Sequence, residues 1–146
     1  GDARRALELI RVAGEIAERK NKNKVNVSSL DEAEEKIERD RIVDIVKTQP
    51  KKGQIVLYSI FNLDLKDKMF TGDAYGVYKD NCKLCGLKPL TQRRVSDIIA
   101  ELDMLGIINA RVISKGRYGR TREISLAIPN SSVDELKKNL EDSLGI

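Results

Sequence analysis

Histidine is absent from this 146-residue sequence, and cysteine occurs only at Cys82 and Cys85. These two shortages exclude a disulfide framework, a histidine-based acid/base pair and most transition-metal sites. No apolar run approaches the roughly 18 residues needed to cross a bilayer, and no apolar signal core stands at the N-terminus, so the sequence predicts a cytoplasmic protein with no membrane partner. Also missing are the phosphate-binding pattern G-x-x-x-x-G-K-[ST], the nucleophile pattern G-x-S-x-G, and any acid pair placed in an evident cleft. The chain taken alone is expected not to be an enzyme. Glu34, Glu35 and Glu38 read as the solvated face of a helix. What remains, 40% hydrophobic and 34% charged residues, suits one ordinary folded domain or two small ones.

Cys82-Lys83-Leu84-Cys85 has the spacing of half a zinc site or of a redox motif. Structural zinc needs four ligands, and the sequence offers no second pair; a thioredoxin-like motif would sit near a βαβ pattern that is missing. The two cysteines are therefore read as small apolar residues of a helix, with no metal.

Net charge is +4, but its distribution says more than its total. Residues 1–48 carry eleven cations and eleven acids, whereas residues 79–122 carry ten cations and four acids. A localised positive field is the footprint expected for a phosphate backbone, although a solvated basic face would have the same composition.

The predicted fold class is mainly α with a small β-hairpin. Residues 2–20 place Leu7, Ile10, Ala13 and Ala17 at helical spacing behind Asp2 as N-cap, and a second helix opens with Ser29 and Glu32 at capping-box spacing and runs to Lys47. Leu30, Ala33 and Ile37 lie on one face of that helix, and Ile42, Ile45 and Val46 on another, as if it served two cores. "TQPKKG" at 48–53 is the clearest break and divides the chain into residues 1–48 and 49–146. Then come an almost wholly apolar helix, a polar loop, a helix over "VYKDNCKLCGL" and a helix with Thr91 as N-cap, Val95, Ile98, Ile99, Leu102 and Leu105 inward, and Gly106 at its end. After Gly106 the period changes to two, giving strands at 107–113 and 123–129 with Ile124, Leu126 and Ile128 inward. A last helix starts at Ser132 and Glu135 and buries Val133, Leu136 and Leu140. Helices followed by such a hairpin have the order of a winged helix-turn-helix.

The loop joining the two strands is "SKGRYGRTR", with four cations and no acid in nine positions. Lys115, Arg117, Arg120 and Arg122 would sit on a tip whose Gly116 and Gly119 allow close approach to a minor groove or a phosphate ridge, with Tyr118 able to bond a phosphate or pack on a sugar and Thr121 within the same stretch. The N-terminal end of the preceding helix, Thr91-Gln92-Arg93-Arg94, is where a recognition helix meets base edges; Gln92 can pair with adenine and an arginine with guanine, or either can merely hold phosphate. These twelve residues are the candidate DNA-binding set.

The opening "GDARRALELIRVAGEIAE" closely resembles the sensor-2 segment of AAA+ ATPases, at the start of the third helix of the lid. Followed by "EKIERDRIVDIVKTQPKKGQIVLYSI" and a winged helix, the chain is similar over essentially its whole length to the archaeal origin-recognition and replication-initiator family, related to the largest subunit of the eukaryotic origin recognition complex. The resemblance implies that residues 1–48 are the last helices of an AAA+ lid and residues 49–146 a winged helix that binds double-stranded origin DNA. It implies too that Arg4 is the sensor-2 arginine that touches the γ-phosphate of bound ATP. The P-loop, the Mg²⁺-binding acids and a further DNA-binding helix of the family would precede Gly1. This piece would then hold no cofactor, the full-length parent would use ATP or ADP with Mg²⁺, and the protein would be nucleoid-associated. The partners implied are origin DNA, the replicative helicase and other initiator subunits. A winged helix that docks an acidic protein, or a regulatory lid with incidental DNA affinity, stays open, with a transcription repressor as a lesser alternative.

Overall fold

The computed structural model describes residues 2–19, 27–63, 68–114, 116 and 119–146, with the backbone alone at residues 2 and 17–19. The chain divides into two compact units, Gly1–Asp44 and Ile45–Ile146.

The first unit is built on α1 (Asp2–Arg19) and the greater part of α2 (Val27–Thr48). Val12, Ala13 and Ile16 of α1 pack with Ala33 of α2, and Leu9, Leu30 and Ile37 lean on that cluster. The buried stripe of α1 is thus Leu9, Val12, Ala13 and Ile16, spaced i, i+3, i+4, i+7. The expected stripe is rotated from it, since Leu7 and Ile10 are 71% and 59% exposed. Helical spacing fits both stripes, and the choice between them belongs to the partner helix. Asp2 is already helical, and α2 begins two residues before Ser29, so neither is an N-cap. The two-faced reading of α2 matches its burial: Leu30, Ala33 and Ile37 meet α1, while Val46, past the division between the units, is 1% exposed.

The second unit continues with α3 (Lys51–Asn62), β1 (Met69–Phe70), α4 (Thr71–Leu84), α5 (Gln92–Met104), β2 (Ile108–Ser114), β3 (Arg120–Leu126) and α6 (Asn130–Leu144). Pro50 stands immediately before α3, where its missing N–H leaves no bond unmade. The helix is buried nearly all round, and its polar positions are bonded inside. The Gln54 side-chain amide donates to the carbonyls of Val46 and Lys47 at 3.2 and 3.3 Å and accepts from the Ser143 hydroxyl at 3.0 Å, which ties α3 to both flanking helices. Asn81 of α4 donates to Ser59 Oγ at 3.0 Å, and the Tyr58 hydroxyl donates to Glu141 of α6 at 3.0 Å. Buried polar groups satisfied in this way fix which faces meet.

Antiparallel strands in the order β1-β3-β2 form the sheet. Ile108 and Ala110 of β2, Ile124 of β3 and Met69 of β1 are buried on one face. The two-residue β1, which pairs Met69 with Ile124, escapes a period-two search because it is too short to show a period. Helix α4 starts at Thr71, six residues before Val77, where Asp73 accepts the Phe70 N–H at 3.0 Å. Gly72 and Gly76 make that first stretch a poor helix by propensity, so capping and tertiary contact decide it. Helix α6 begins at Asn130, so Ser132 lies inside the first turn, with its N–H on the Pro129 carbonyl, and the expected capping box does not form. The hairpin strands are shifted outward from their expected bounds, and Arg120, Thr121 and Arg122 belong to β3, not to a loop.

Candidate nucleic-acid interface

The start of α5 is held by α4 through two tyrosines. The Tyr75 hydroxyl donates to the carbonyl of Leu90 at 3.0 Å, and the Leu90 N–H donates to the Tyr78 hydroxyl at 3.1 Å. Both polar groups of one backbone residue in the α4–α5 connection are thereby anchored. Tyr78 is fully buried, and burial is the main cause that pushes its hydroxyl pKa up to about 12. One residue further on, Thr91 is the N-cap, and its Oγ1 accepts the Arg94 N–H at 3.3 Å. Such a cap stabilises a helix by about 1 kcal/mol. Gln92, Arg93 and Arg94 therefore leave the protein at a fixed place, all three exposed, while Val95, Ile99 and Leu102 hold the helix in the core.

The wing presents its cations by strand alternation. Ile124, Arg122 and Arg120 occupy one side of β3, opposite Ala110, Val112 and Ser114 of β2. The side that buries Ile124 near the core thus carries guanidiniums where the sheet runs out toward the tip. Arg122 Nε donates to Ser96 Oγ on α5 at 3.2 Å, which links wing and helix. At the tip Gly116 and Gly119 have φ of 63° and 86°, and the Gly119 N–H donates to the Gly116 carbonyl at 3.2 Å. A Cβ at either glycine would meet nothing within 4 Å, so backbone conformation and not crowding is what favours glycine. Lys115, Arg117 and Tyr118 lie outside the described residues.

A cleft of about 410 Å³ opens where these elements meet, lined by Gln92, Arg93, Arg120, Thr121 and Arg122 together with Thr71, Ser96 and Val112. Among the described residues its lining holds three arginines and no acid. Among the described residues no carboxylate pairs with Arg93, Arg94, Arg120 or Arg122; Arg111, on the opposite side of β2, pairs with Glu123 at 3.1 Å. Thr91 and Arg94 flank the cleft in sequence without lining it. Sequence reading missed Ser96 and Thr71. Ser96 stands three residues after Arg93, on the same helical face, and could have been found from that spacing. Nothing in the sequence marks Thr71, which only the fold brings to α5.

Arg4 lies on α1 in the first unit and is exposed. Cys82 is buried in α4 and Cys85 is the C-cap of that helix; both are free thiols, and burial pushes the Cys85 thiol pKa up, away from the reactive thiolate. Among the described residues no three acidic, cysteine or histidine side chains gather as metal ligands, and no helix is long and apolar enough to cross a membrane.

Residues 44–136 match the family described as the CDC6 C-terminal winged helix domain, and residues 1–35 the Cdc6 AAA+ ATPase-type lid domain. An ORC1-type DNA replication protein of Pyrococcus horikoshii is 55% identical over 88% of the chain, and one of Thermococcus onnurineus 53% identical over 95%. The chain spans 31% and 34% of those relatives, about a third of their length. Among solved structures, the Aeropyrum pernix ORC1 protein in complex with DNA superimposes with a TM-score of 0.84 at 47% identity, over 97% of this chain and 37% of that one. Drosophila ORC bound to DNA, at 19% identity and a TM-score of 0.57 over 93% of this chain and 35% of that one, shares the fold.

Proposed function

The chain belongs to the ORC1/Cdc6 family of replication initiators, and from that premise we propose that it binds double-stranded DNA at replication origins through the first turn of α5 and the β2–β3 wing. The observation that carries this reading is the cleft in which Arg93, Arg120 and Arg122 converge with no carboxylate among the described residues that line it. Guanidiniums that share a cleft and meet no carboxylate among the described residues make a positive field that a polyanion answers. The Aeropyrum ORC1 structure, solved with DNA and close to this chain over its length, supports the same assignment.

In this reading residues 49–146 form the DNA-binding winged helix and residues 1–48 close an AAA+ lid. Helix α5 lies in the major groove, where Gln92, Arg93 and Arg94 meet base edges or phosphates beside Thr91. The wing, with Lys115 to Arg122, enters the minor groove. Much of the specificity would come from DNA deformation, with limited base readout. Arg4 would report the γ-phosphate of ATP held with Mg²⁺ by the remainder of the initiator, which helps load the replicative helicase alongside other initiator subunits.

The test is duplex affinity for origin-region and random sequences across a salt series. Binding that weakens steeply with salt and prefers the origin supports the whole reading. Salt-dependent binding without preference moves specificity out of this chain, and absence of duplex binding overturns the proposal in favour of a protein partner. Arg4→Ala in the full-length initiator should lower ATP turnover while this chain's own duplex affinity stays unchanged.

A further inference from the structure

We propose that the cleft between the first turn of α4, the start of α5 and the wing is a socket for a single backbone phosphate, with the Thr71 hydroxyl among its donors. The inference rests on the DNA-binding reading and goes beyond it, because it replaces a diffuse basic surface by one discrete site.

Thr71 is 5% exposed, and its Oγ1 has no hydrogen-bond partner among the described residues. Buried hydroxyls in folded proteins are nearly always bonded, so an enclosed, unpaired one on a residue that lines a cleft is a donor that a turn about χ1 can offer to an acceptor held there. The rest of the lining says which acceptor. Arg93 comes from α5 and Arg120 and Arg122 from β3, so cations approach from separate elements. Ser96 accepts from Arg122 Nε, and among the described residues neither the Ser96 proton nor the outer nitrogens of Arg122 are engaged, so both can serve a ligand. The acid on the first turn of α4, Asp73, is bonded to the Phe70 N–H and does not line the cleft. Donors arranged on several sides, with charge on more than one of them, match a tetrahedral anion better than a planar carboxylate, which is served by a single guanidinium fork.

Thr71→Val, nearly the same shape, separates the socket from a structural role. It should leave the thermal midpoint of the chain unchanged or raised, since it removes an unpaired buried hydroxyl, yet weaken duplex binding about tenfold. Thr71→Ser, which keeps the hydroxyl, should bind within about twofold of the parent. A lower midpoint with unchanged affinity in Thr71→Val overturns the proposal. The second measurement is a scan of duplexes that each carry one neutral methylphosphonate. One position should cost far more than its neighbours, and Thr71→Val should lose most of that excess. An even penalty along the duplex overturns the socket while the DNA-binding reading stands. Absence of duplex binding by the parent chain removes both.

Discussion

Arg11, Lys36 and Arg41 lie on the surface of the first unit, and Arg93, Arg120 and Arg122 on the second, yet their surroundings differ. In the first unit Arg11 meets Glu15 at 2.8 Å, Lys36 meets Asp40 at 3.0 Å and Arg41 grips both oxygens of Glu38 at 2.6 and 3.1 Å, each within one helix. The Arg41 hydrogen bond holds the Glu38 carboxyl below the usual carboxylate range. Arg5 reaches Glu34 at 4.0 Å as well. These cations are answered locally, as the equal counts of acid and base in residues 1–48 allow. At the second site the arginines converge from a helix and a strand, and among the described residues no acid is placed with them. The contrast teaches that total charge is a poor guide to partners, and that what matters is whether a cation's nearest neighbours already neutralise it.

The sharpest way to break this contrast is to reverse charge on each side of it. Arg120→Glu with Arg122→Glu should lower duplex affinity at least about a hundredfold at 0.1 M salt and flatten the slope of log affinity against log salt by about two. The equal reversal of Arg11→Glu with Lys36→Glu in the first unit, which changes net charge by the same amount, should leave affinity within about twofold. Equal losses from both would show that only overall charge counts.

The next effect concerns what holds the second site in place. Tyr78 has its hydroxyl pKa raised from 10.0 to about 12 in the fold, so the neutral form is favoured there. Its contribution is complete below pH 10 and is lost as pH rises toward 12, because the unfolded chain gives up its proton first; the slope is at most about 1.4 kcal/mol per pH unit. Denaturant midpoints measured from pH 9 to 12 should show this loss, and Tyr78→Phe should remove it. At neutral pH the same substitution should cost about 1–2 kcal/mol, since it leaves the Leu90 N–H without its acceptor. Smallest of all, Arg11→Ala should change stability by no more than about 0.5 kcal/mol, because its ion pair is exposed. A larger change would mean that the pairs of the first unit do more than neutralise one another.

The legible parts of the fold were those with a long period and a chemical stop. Helix α5 has its 3.6-residue stripe, Thr91 as cap and Gly106 after it; the wing strands alternate around Ile124; α6 buries Val133, Leu136 and Leu140 as read. Where a second solution fitted equally well, reading failed. Leu7 and Ile10 satisfied helical spacing as well as Leu9 and Val12 did, and only the position of α2 decides between them. The capping pairs at Ser29 and Ser132 had the right spacing, but both serines sit two residues inside their helices and so three past the N-cap position. Of the cleft, Gln92, Arg93, Arg120, Thr121 and Arg122 stood out by charge or by position, whereas Thr71 is twenty residues or more from any of them and is delivered by the packing of α4.

The double hold on Leu90 also has a consequence in time. A loop whose N–H and carbonyl both end on one helix cannot swing by breaking a single bond, so α4 and the entry to α5 must fluctuate as one body. The Leu90 amide should exchange with solvent deuterium about as slowly as the helix interior, although it sits in a connecting loop. A partner that docks on this end of α5 would meet a surface already ordered before the encounter, with little delay for rearrangement.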